Sequence, residues 1–524
     1  MDALQARVVR FLSAPAAYPH PAGRIARRET HVSHVFLAGA FAYKLKKAVK
    51  FPFLDASTLQ RRKRFCQLEL TLNRRLTPAT YLDIVPVVET QAGLKLGGRG
   101  RVVEWVVKMR RLPDARMLDR LVAANKVGRR DMQRLAGRLI LFFAKAGRNR
   151  AIDRFGQPAQ VAHLLLGNLQ ECQPFLGKLF SEADQRLLEA AYRQWLALNE
   201  PLLARRVKER RIIDGHGDLR CENICMTEPV SVFDCVEFQP AFRCGDMVND
   251  FSFLLMDLEF RGRADLAAVL EARYRRAVHD ATAEAVLPVY KCHRSLVRGK
   301  VRGLAWQQHP NTVEGRRIRG LARRHFQLAT RYARQFAPPR LIIVGGLIGS
   351  GKSTLARALA KSFGAVWLRT DEIRLTEFAG TRRANQGFSQ GIYAPHISEL
   401  VYQRLIRRAE EHLRNGLSVV CDGTFSKATG REILRQLARR QKASFHFIEC
   451  AVPRAIALRR IAKRYASRSD ISEAKPEHYA RLKAGFEPVR GWPSRDWTRI
   501  SDNRRPEDTH HAALAALRRA WNSR

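Results

Sequence analysis

The stretch "IDGHGDLRCENI", residues 213–224, sets Asp218 and Asn223 five positions apart, just after a short apolar run. A carboxylate so placed can take a proton from an attacking hydroxyl, and an amide oxygen close by can ligate a hard cation. The same residue types also populate ordinary turns, because Asp and Asn side chains hydrogen-bond to nearby backbone. The residues around the stretch decide between these readings, and with them the fold of the first part of the chain.

Shortly after Asn223, a second apolar segment ends in "VFDCVEF", residues 232–238, which places Asp234 at a strand end. A histidine, an aspartate, an asparagine five further on and a second aspartate form the order used by eukaryotic-type kinases. Asp218 is then the base, and Asn223 and Asp234 hold Mg²⁺ against the phosphates of ATP. Such a fold also demands a lysine on an early strand and a glutamate on the next helix. In "AFAYKLKKAV", residues 40–49, the small Ala42 precedes Lys44 by two positions, and Lys46 shares the same strand face as its rival. The capping pattern Ser57-x-x-Gln60 opens a predicted helix that turns Phe65, Glu69, Leu72 and Leu76 inward. A charged Glu69 on that apolar face needs a partner, and Lys44 is the natural one. No G-x-G-x-x-G precedes Lys44. "ETHVSHVFLAG" stands there instead, which leaves backbone and Ser33 as the phosphate cover.

A second signal lies downstream. Pro338 and Pro339 cannot sit inside a helix and stand directly before "LIIVGGLIGSGKSTLARALA", residues 341–360. Gly346, Gly351, Lys352 and Ser353 spell G-x-x-x-x-G-K-S between a β-rich run and an Ala/Leu-rich helix, which is the context a phosphate loop needs. Gly346, Gly349, Ser350 and Gly351 let successive N–H groups converge on phosphate oxygens. Lys352 reaches the β and γ phosphates, Ser353 offers a hydroxyl to Mg²⁺, and Thr354 follows at the helix N-terminus. Further strands deliver Asp371 and Arg374 ("RTDEIR") and Asp422 ("LSVVCDGTF") towards the same crevice. Asp371 is read as an acceptor-side base, Arg374 as an acceptor or phosphate clamp, and Asp422 as the holder of a metal water. Arg460 and Arg464, four apart in "RAIALRRIAKRYASR", suit a lid over the transferring phosphate. Helix caps, turns and a solvated basic helix are the plainer alternatives for these residues.

Composition bounds these readings. A chain of 524 residues is too long for one core. With 46% hydrophobic residues and no apolar run long enough to span a bilayer, it is expected to be a cytoplasmic protein without a membrane partner. The amino terminus carries Leu4, Val8, Phe11 and Leu12 at helical spacing, broken by Arg7 and Arg10, and reads as a packed first helix. Nine cysteines in apolar segments suit a reducing compartment, and Cys221, Cys225, Cys235 and Cys244 lack the tight C-x-x-C spacing of a zinc site. The formal charge of +45, from 94 Lys and Arg against 49 Asp and Glu, fits a polyanionic partner such as nucleic acid or a basic face that is merely solvated.

The spelling "HGDLRCEN" with "FDCVEF" resembles the aminoglycoside phosphotransferases and their relatives. Residues 340–500 resemble the small P-loop kinases of the zeta-toxin, gluconate-kinase and polynucleotide-kinase group. In that order the two resemble a bacterial group of fused aminoglycoside phosphotransferase-like and P-loop ATPase proteins. The resemblance implies an α+β two-lobed kinase-like domain over 1–337, with a small lobe near 25–110 and a large lobe near 111–335. An α/β P-loop domain with a mostly parallel sheet follows over 338–524. It implies ATP and Mg²⁺ as cofactors and a hydroxyl group on a small molecule as acceptor. The position after "HGDL", often histidine in these relatives, is Arg220. A polycationic aminoglycoside is electrostatically disfavoured by a chain this basic, so an anionic or neutral acceptor fits better. Three functions stay open: a two-headed small-molecule kinase, a nucleic-acid 5′-hydroxyl kinase, and an ATP-dependent regulator with a degenerate kinase-like domain. Oligomeric state is not legible.

Overall fold

The computed structural model describes residues 3–51, 54–378, 393–467, 476–501 and 505–522. The chain divides into two compact units, Met1–Val161 with Leu203–Val297, and Ala162–Leu202 with Arg298–Arg524.

The first unit begins with the helix Ala3–Leu12, which buries Val8 and Leu12 of the expected stripe together with Val9, while Leu4 and Phe11 are partly buried against the same core. A six-stranded antiparallel sheet follows, in the spatial order Ala26–Glu29, Ser33–Ala38, Phe41–Lys46, Arg101–Arg110, Tyr81–Thr90 and Gly93–Leu96. Alternation along Phe41–Lys46 sends Tyr43 and Leu45 into the core shared with the first helix. Ala42 packs on the opposite side with Cys66 and Met109, where Lys44 meets the helix Leu59–Arg74. That helix buries Arg62, Cys66, Glu69, Leu72 and Asn73. Its cap is Thr58, whose side chain accepts from Arg61 N–H at 3.3 Å, and not Ser57. Ser57 is drawn off by Asp55, to which both its N–H and its hydroxyl donate. Phe65 is only half-buried.

The rest of this unit is mainly helical. The short strand Ile212–Asp214 pairs antiparallel with Cys244–Asp246, and Ile224–Cys225 with Ser231–Val232. Between them hangs the loop that carries Asp218. Behind it runs the helix Met247–Phe260, which is almost wholly buried and is capped by Asp246 accepting from Val248 N–H.

The second unit holds a five-stranded parallel sheet in the order Val366–Arg369, Val419–Asp422, Arg340–Gly346, Ser444–Ala451 and Trp497–Ser501. After Arg340 the central strand is apolar through Gly346, because both its faces are covered. Leu341 and Ile343 join the core beneath the helices Pro395–Arg414 and Ala428–Arg440, and Ile342 and Val344 join the core beneath Lys352–Phe363 and Pro506–Asn522.

The compact units differ from the sequential division at 337/338. Residues 162–202 and 298–337 lie in the unit that carries the parallel sheet. Leu198 enters the core behind the central strand. Gln194 donates to Pro338 O at 2.9 Å and accepts from Ser418 Oγ at 2.6 Å, and Phe180 stacks on Phe326. Pro338 and Pro339 do end a helix and precede a strand, but the helical segments before them find their apolar partners on the P-loop side.

All nine cysteines are buried free thiols. Among the described residues, no helix is long and apolar enough to cross a membrane.

Candidate active sites

In the first unit, residues far apart in sequence converge on one ammonium group. Lys44 Nζ donates to Glu69 Oε1 at 2.7 Å and to Asp234 Oδ1 at 2.5 Å. Lys46, one strand repeat away, pairs with both Glu69 and Glu237. Two lysines and three carboxylates thus form a single network, in which both candidate lysines pair with Glu69. Burial alone would discharge Lys44, but Asp234 and Glu69 overcome it and push its pKa well up. For Asp234, burial opposes ionisation and the Lys44 ammonium outweighs it, which holds the carboxyl at about 2. Glu237 goes the other way, pushed up by burial despite Lys46. Ser33 Oγ is buried with no hydrogen-bond partner among the described residues, in register with Lys46 across the hairpin.

The Asp218 loop is fixed from behind by a residue that the motif reading missed. Asp250, on the buried helix, accepts the N–H groups of His216 at 2.7 Å and Gly217 at 2.8 Å. Gly217 has φ +86°, and a Cβ there would lie 2.8 Å from Phe242 O, so the position needs glycine. His216 is buried and held as a neutral ring: one ring nitrogen lies 3.0 Å from Phe233 O, and Nδ1 accepts Asp218 N–H at 3.3 Å. Burial depresses its pKa further than Asp250 and Asp218 can restore it. Asn223 Nδ2 donates to Asp218 O at 2.9 Å and Oδ2 at 2.8 Å. Arg220 Nε lies 2.9 Å from both Asp218 oxygens. Asp234 itself has φ +64°, and its N–H donates to Tyr81 Oη at 3.2 Å.

In the second unit the cradle is made of backbone. Gly346, Gly349 and Gly351 have φ of +144°, +75° and +85°. A Cβ on Gly346 would lie 2.4 Å from Cys450 O, and one on Gly349 2.6 Å from Ala457 O. Ser350 Oγ is buried with no hydrogen-bond partner among the described residues, an orphaned polar atom inside the loop. Lys352 opens the helix Lys352–Phe363, Ser353 donates to Asp422 Oδ1 at 3.2 Å, and Thr354 is exposed one residue on. Asp422 ends its strand, with Arg369 at 3.5 Å. Burial pushes its pKa up against the pull of Lys352, and Asp371 is close enough to add to the rise.

Asp371 and Arg374 fall on the helix Thr370–Glu377, where Arg374 is buried, donates to Ser398 Oγ at 3.2 Å and lies over the Tyr393 ring. Arg460 and Arg464 are half-buried on the helix Arg454–Ser467, each three residues after Ala457 and Ile461, which pack on Ile348 of the phosphate loop. The basic helix therefore rests on the loop it was expected to cover.

These features define a chain with a P-loop nucleotide-binding domain in its second unit, and the comparisons agree. A family model described as an AAA domain matches residues 341–489. The chain is 34% identical over 447 residues to the uncharacterized protein Rv2004c of Mycobacterium tuberculosis, covering 84% of this chain and 87% of that one. The uncharacterized protein Mb2027c of Mycobacterium bovis matches equally. The chain belongs to the family of these mycobacterial proteins. Solved structures with similarity include a choline/ethanolamine kinase family protein from Mesorhizobium loti, at 14% identity and TM-score 0.39 over 63% of this chain and 99% of that one. A sugar kinase from Janibacter sp. HTCC2649 matches at 21% identity and TM-score 0.28, over 34% of this chain and 95% of that one.

Proposed function

We propose that this protein is an ATP-dependent phosphotransferase with a transfer site in each unit. The reading rests above all on Lys44, whose ammonium joins the helix carboxylate Glu69 to Asp234 from 190 residues downstream. That is the linkage a kinase needs between its phosphate-directed lysine and its metal-binding aspartate. Among the described residues no three His, Cys, Asp or Glu side chains are grouped to hold a metal. This suits Mg²⁺, which takes one or two protein oxygens and fills its shell with phosphate and water. Asp234 and the Asn223 oxygen would hold it in the first unit, Ser353 and water on Asp422 in the second, where it would neutralise charge on the phosphates. In the first unit the acceptor hydroxyl gives its proton to Asp218 as its oxygen bonds to the γ-phosphorus. The β–γ bridging bond breaks, and ADP leaves with the electron pair. In the second, Asp371 takes the corresponding proton, Lys352 steadies the β and γ phosphates, Arg374 holds the acceptor, and Arg460 and Arg464 close over the transferring group.

The test is γ-phosphate transfer by the full chain carrying Lys352→Ala, which silences the second site. Asp218→Asn should spare Mg²⁺-ATP binding and cut transfer on the order of 10²–10⁴, the worth of a positioned base. Asp234→Asn should weaken metal-dependent nucleotide binding itself. Identical behaviour of the two, or full transfer by Asp218→Asn, defeats the reading.

One observation favours a second reading. Both oxygens of Asp218 are already engaged by Arg220 and Asn223, as a unit that binds nucleotide without transferring phosphate would allow. Nucleotide binding with no Asp218-dependent turnover on any acceptor would establish it.

A further inference from the structure

Proton transfer to Asp218 does not require Arg220, yet Arg220 occupies the shoulder of that carboxylate. Its Nε meets both Asp218 oxygens at 2.9 Å, and its Nη1 pairs with Glu222. Each of these partners has a second donor. Asn223 Nδ2 lies 2.8 Å from Asp218 Oδ2, and Arg261 Nη2 lies 3.2 Å from Glu222 Oε1. Arg261 is anchored in turn by Asp257 at 3.2 Å, whose carboxylate also accepts Cys221 N–H at 3.0 Å. The result is a ladder of alternating charge, Asp218, Arg220, Glu222, Arg261, Asp257. Arg220 can change partner without orphaning a carboxylate, because Asn223 stays on Asp218 and Arg261 on Glu222.

Asp257 is 6% exposed, whereas the Arg220, Arg261, Asp218 and Glu222 side chains are 16%, 22%, 25% and 36% exposed. The Arg220 guanidinium is mostly covered, with Nη1 buried, between the two better exposed carboxylates Asp218 and Glu222, and its planar fork of N–H donors meets an incoming ligand by turning outward beside the base. That fork matches a carboxylate or a phosphate in two-point, charge-assisted contact, whereas a neutral hydroxyl offers it a single uncharged acceptor.

We infer that Arg220 recognises an anionic group, carboxylate or phosphate, carried by the acceptor next to the hydroxyl that Asp218 deprotonates. The substrate of the first unit is then an acidic hydroxy compound. Arg220 turns from Glu222 to the ligand, Arg261 keeps Glu222 paired, and the Asp218 carboxylate is freed to face the hydroxyl. The inference rests on the phosphotransferase reading for the role of Asp218, and on the ladder geometry for the anion site.

The experiment uses the full chain with Lys352→Ala and two matched sets of probes: glycerol, glycerate and glycerol 3-phosphate; glucose, gluconate and glucose 6-phosphate. Labelled γ-phosphate transfer and calorimetric binding are measured for Arg220, Arg220→Gln and Arg220→Lys, with thermal unfolding as a check on the fold. An acidic member of a set should be preferred, and the carboxylate and phosphate arms show which anion is read. Arg220→Gln should collapse the acidic-over-neutral ratio of kcat/KM about 10- to 100-fold, chiefly through KM, the usual worth of a hydrogen bond to a charged group. Arg220→Lys should restore part of it. Transfer without acidic preference, or an equal loss on all probes in Arg220→Gln, overturns the inference and leaves the phosphotransferase reading intact. Acidic probes that bind through Arg220 but are never phosphorylated would overturn that reading and keep the anion site. Binding of neither set overturns the inference outright.

Discussion

Lys44 lies on a strand with its ammonium enclosed by Glu69 and Asp234, whereas Lys352 opens a helix behind three glycines of positive φ and is only half-buried. The first unit positions its cation with other side chains, and the second with backbone. A side-chain network in a desolvated setting is mutually dependent, since removing one charge strands the others. A backbone cradle keeps its shape whatever side chain emerges from it. The two sites should therefore answer the same kind of substitution differently.

The largest contrast is expected from the two lysines. Lys352→Ala should lower nucleotide turnover by the second unit on the order of 10³, the scale of losing one strong electrostatic donor to the reacting phosphate, with an unchanged unfolding transition. Lys44→Met should abolish transfer by the first unit and also lower its unfolding temperature, because the wholly buried Glu69 keeps only Lys46 and Asp234 loses its counter-charge. Equal melting behaviour of the two variants, followed by calorimetry, would erase the distinction.

A smaller effect concerns acid. His216 in the first unit and His446 in the second both have pKa values depressed below the ordinary imidazole value of 6.5, in each case chiefly by burial. As pH falls through 6.5 the unfolded chain binds protons first, so the stability these rings contribute is complete above that pH and is lost progressively below it. Protonating His216 would also turn Nδ1 from acceptor to donor against Asp218 N–H. Unfolding free energies from urea titration should drop between pH 7 and 5 for both units, by about 1.4 kcal/mol for each pK unit of depression. His216→Asn should flatten only the first.

The smallest effect tests the helix that supplies Glu69. Thr58→Ala should cost about 1 kcal/mol and Ser57→Ala much less, because only Thr58 caps it. Chemical denaturation of both single variants would decide this.

The chemistry-bearing residues were legible where local sequence carries the constraint. Glu69 stood out as a charge on an apolar helix face, and Gly346 to Ser353 as a phosphate-loop spacing set between a strand and a helix. Glu237 and Asp250 were not legible as site residues. Glu237 follows Asp234 by three and looks like a solvent-facing neighbour until Lys46 is seen to point at it. Asp250 sits in "MVNDFSFLLMDLEF", where a carboxylate inside an apolar helix signals a buried partner but does not name it. The unit boundary was hidden for a similar reason. Residues 182–208 and 283–308 are long helices whose apolar faces satisfy either neighbour equally well in one dimension, and only packing shows that Leu198 and Gln194 belong with the P-loop sheet.

The nine thiols provide an internal clock. Cys66, Cys221, Cys225, Cys235, Cys244 and Cys292 belong to the first unit, and Cys172, Cys421 and Cys450 to the second. Burial pushes the thiols of Cys66, Cys172 and Cys235 up to about 12, so at neutral pH they offer an alkylating reagent neither access nor thiolate. Each becomes reactive only when the segment around it opens. Timed maleimide labelling, read peptide by peptide, would therefore report which unit breathes first and whether nucleotide slows the two together or separately.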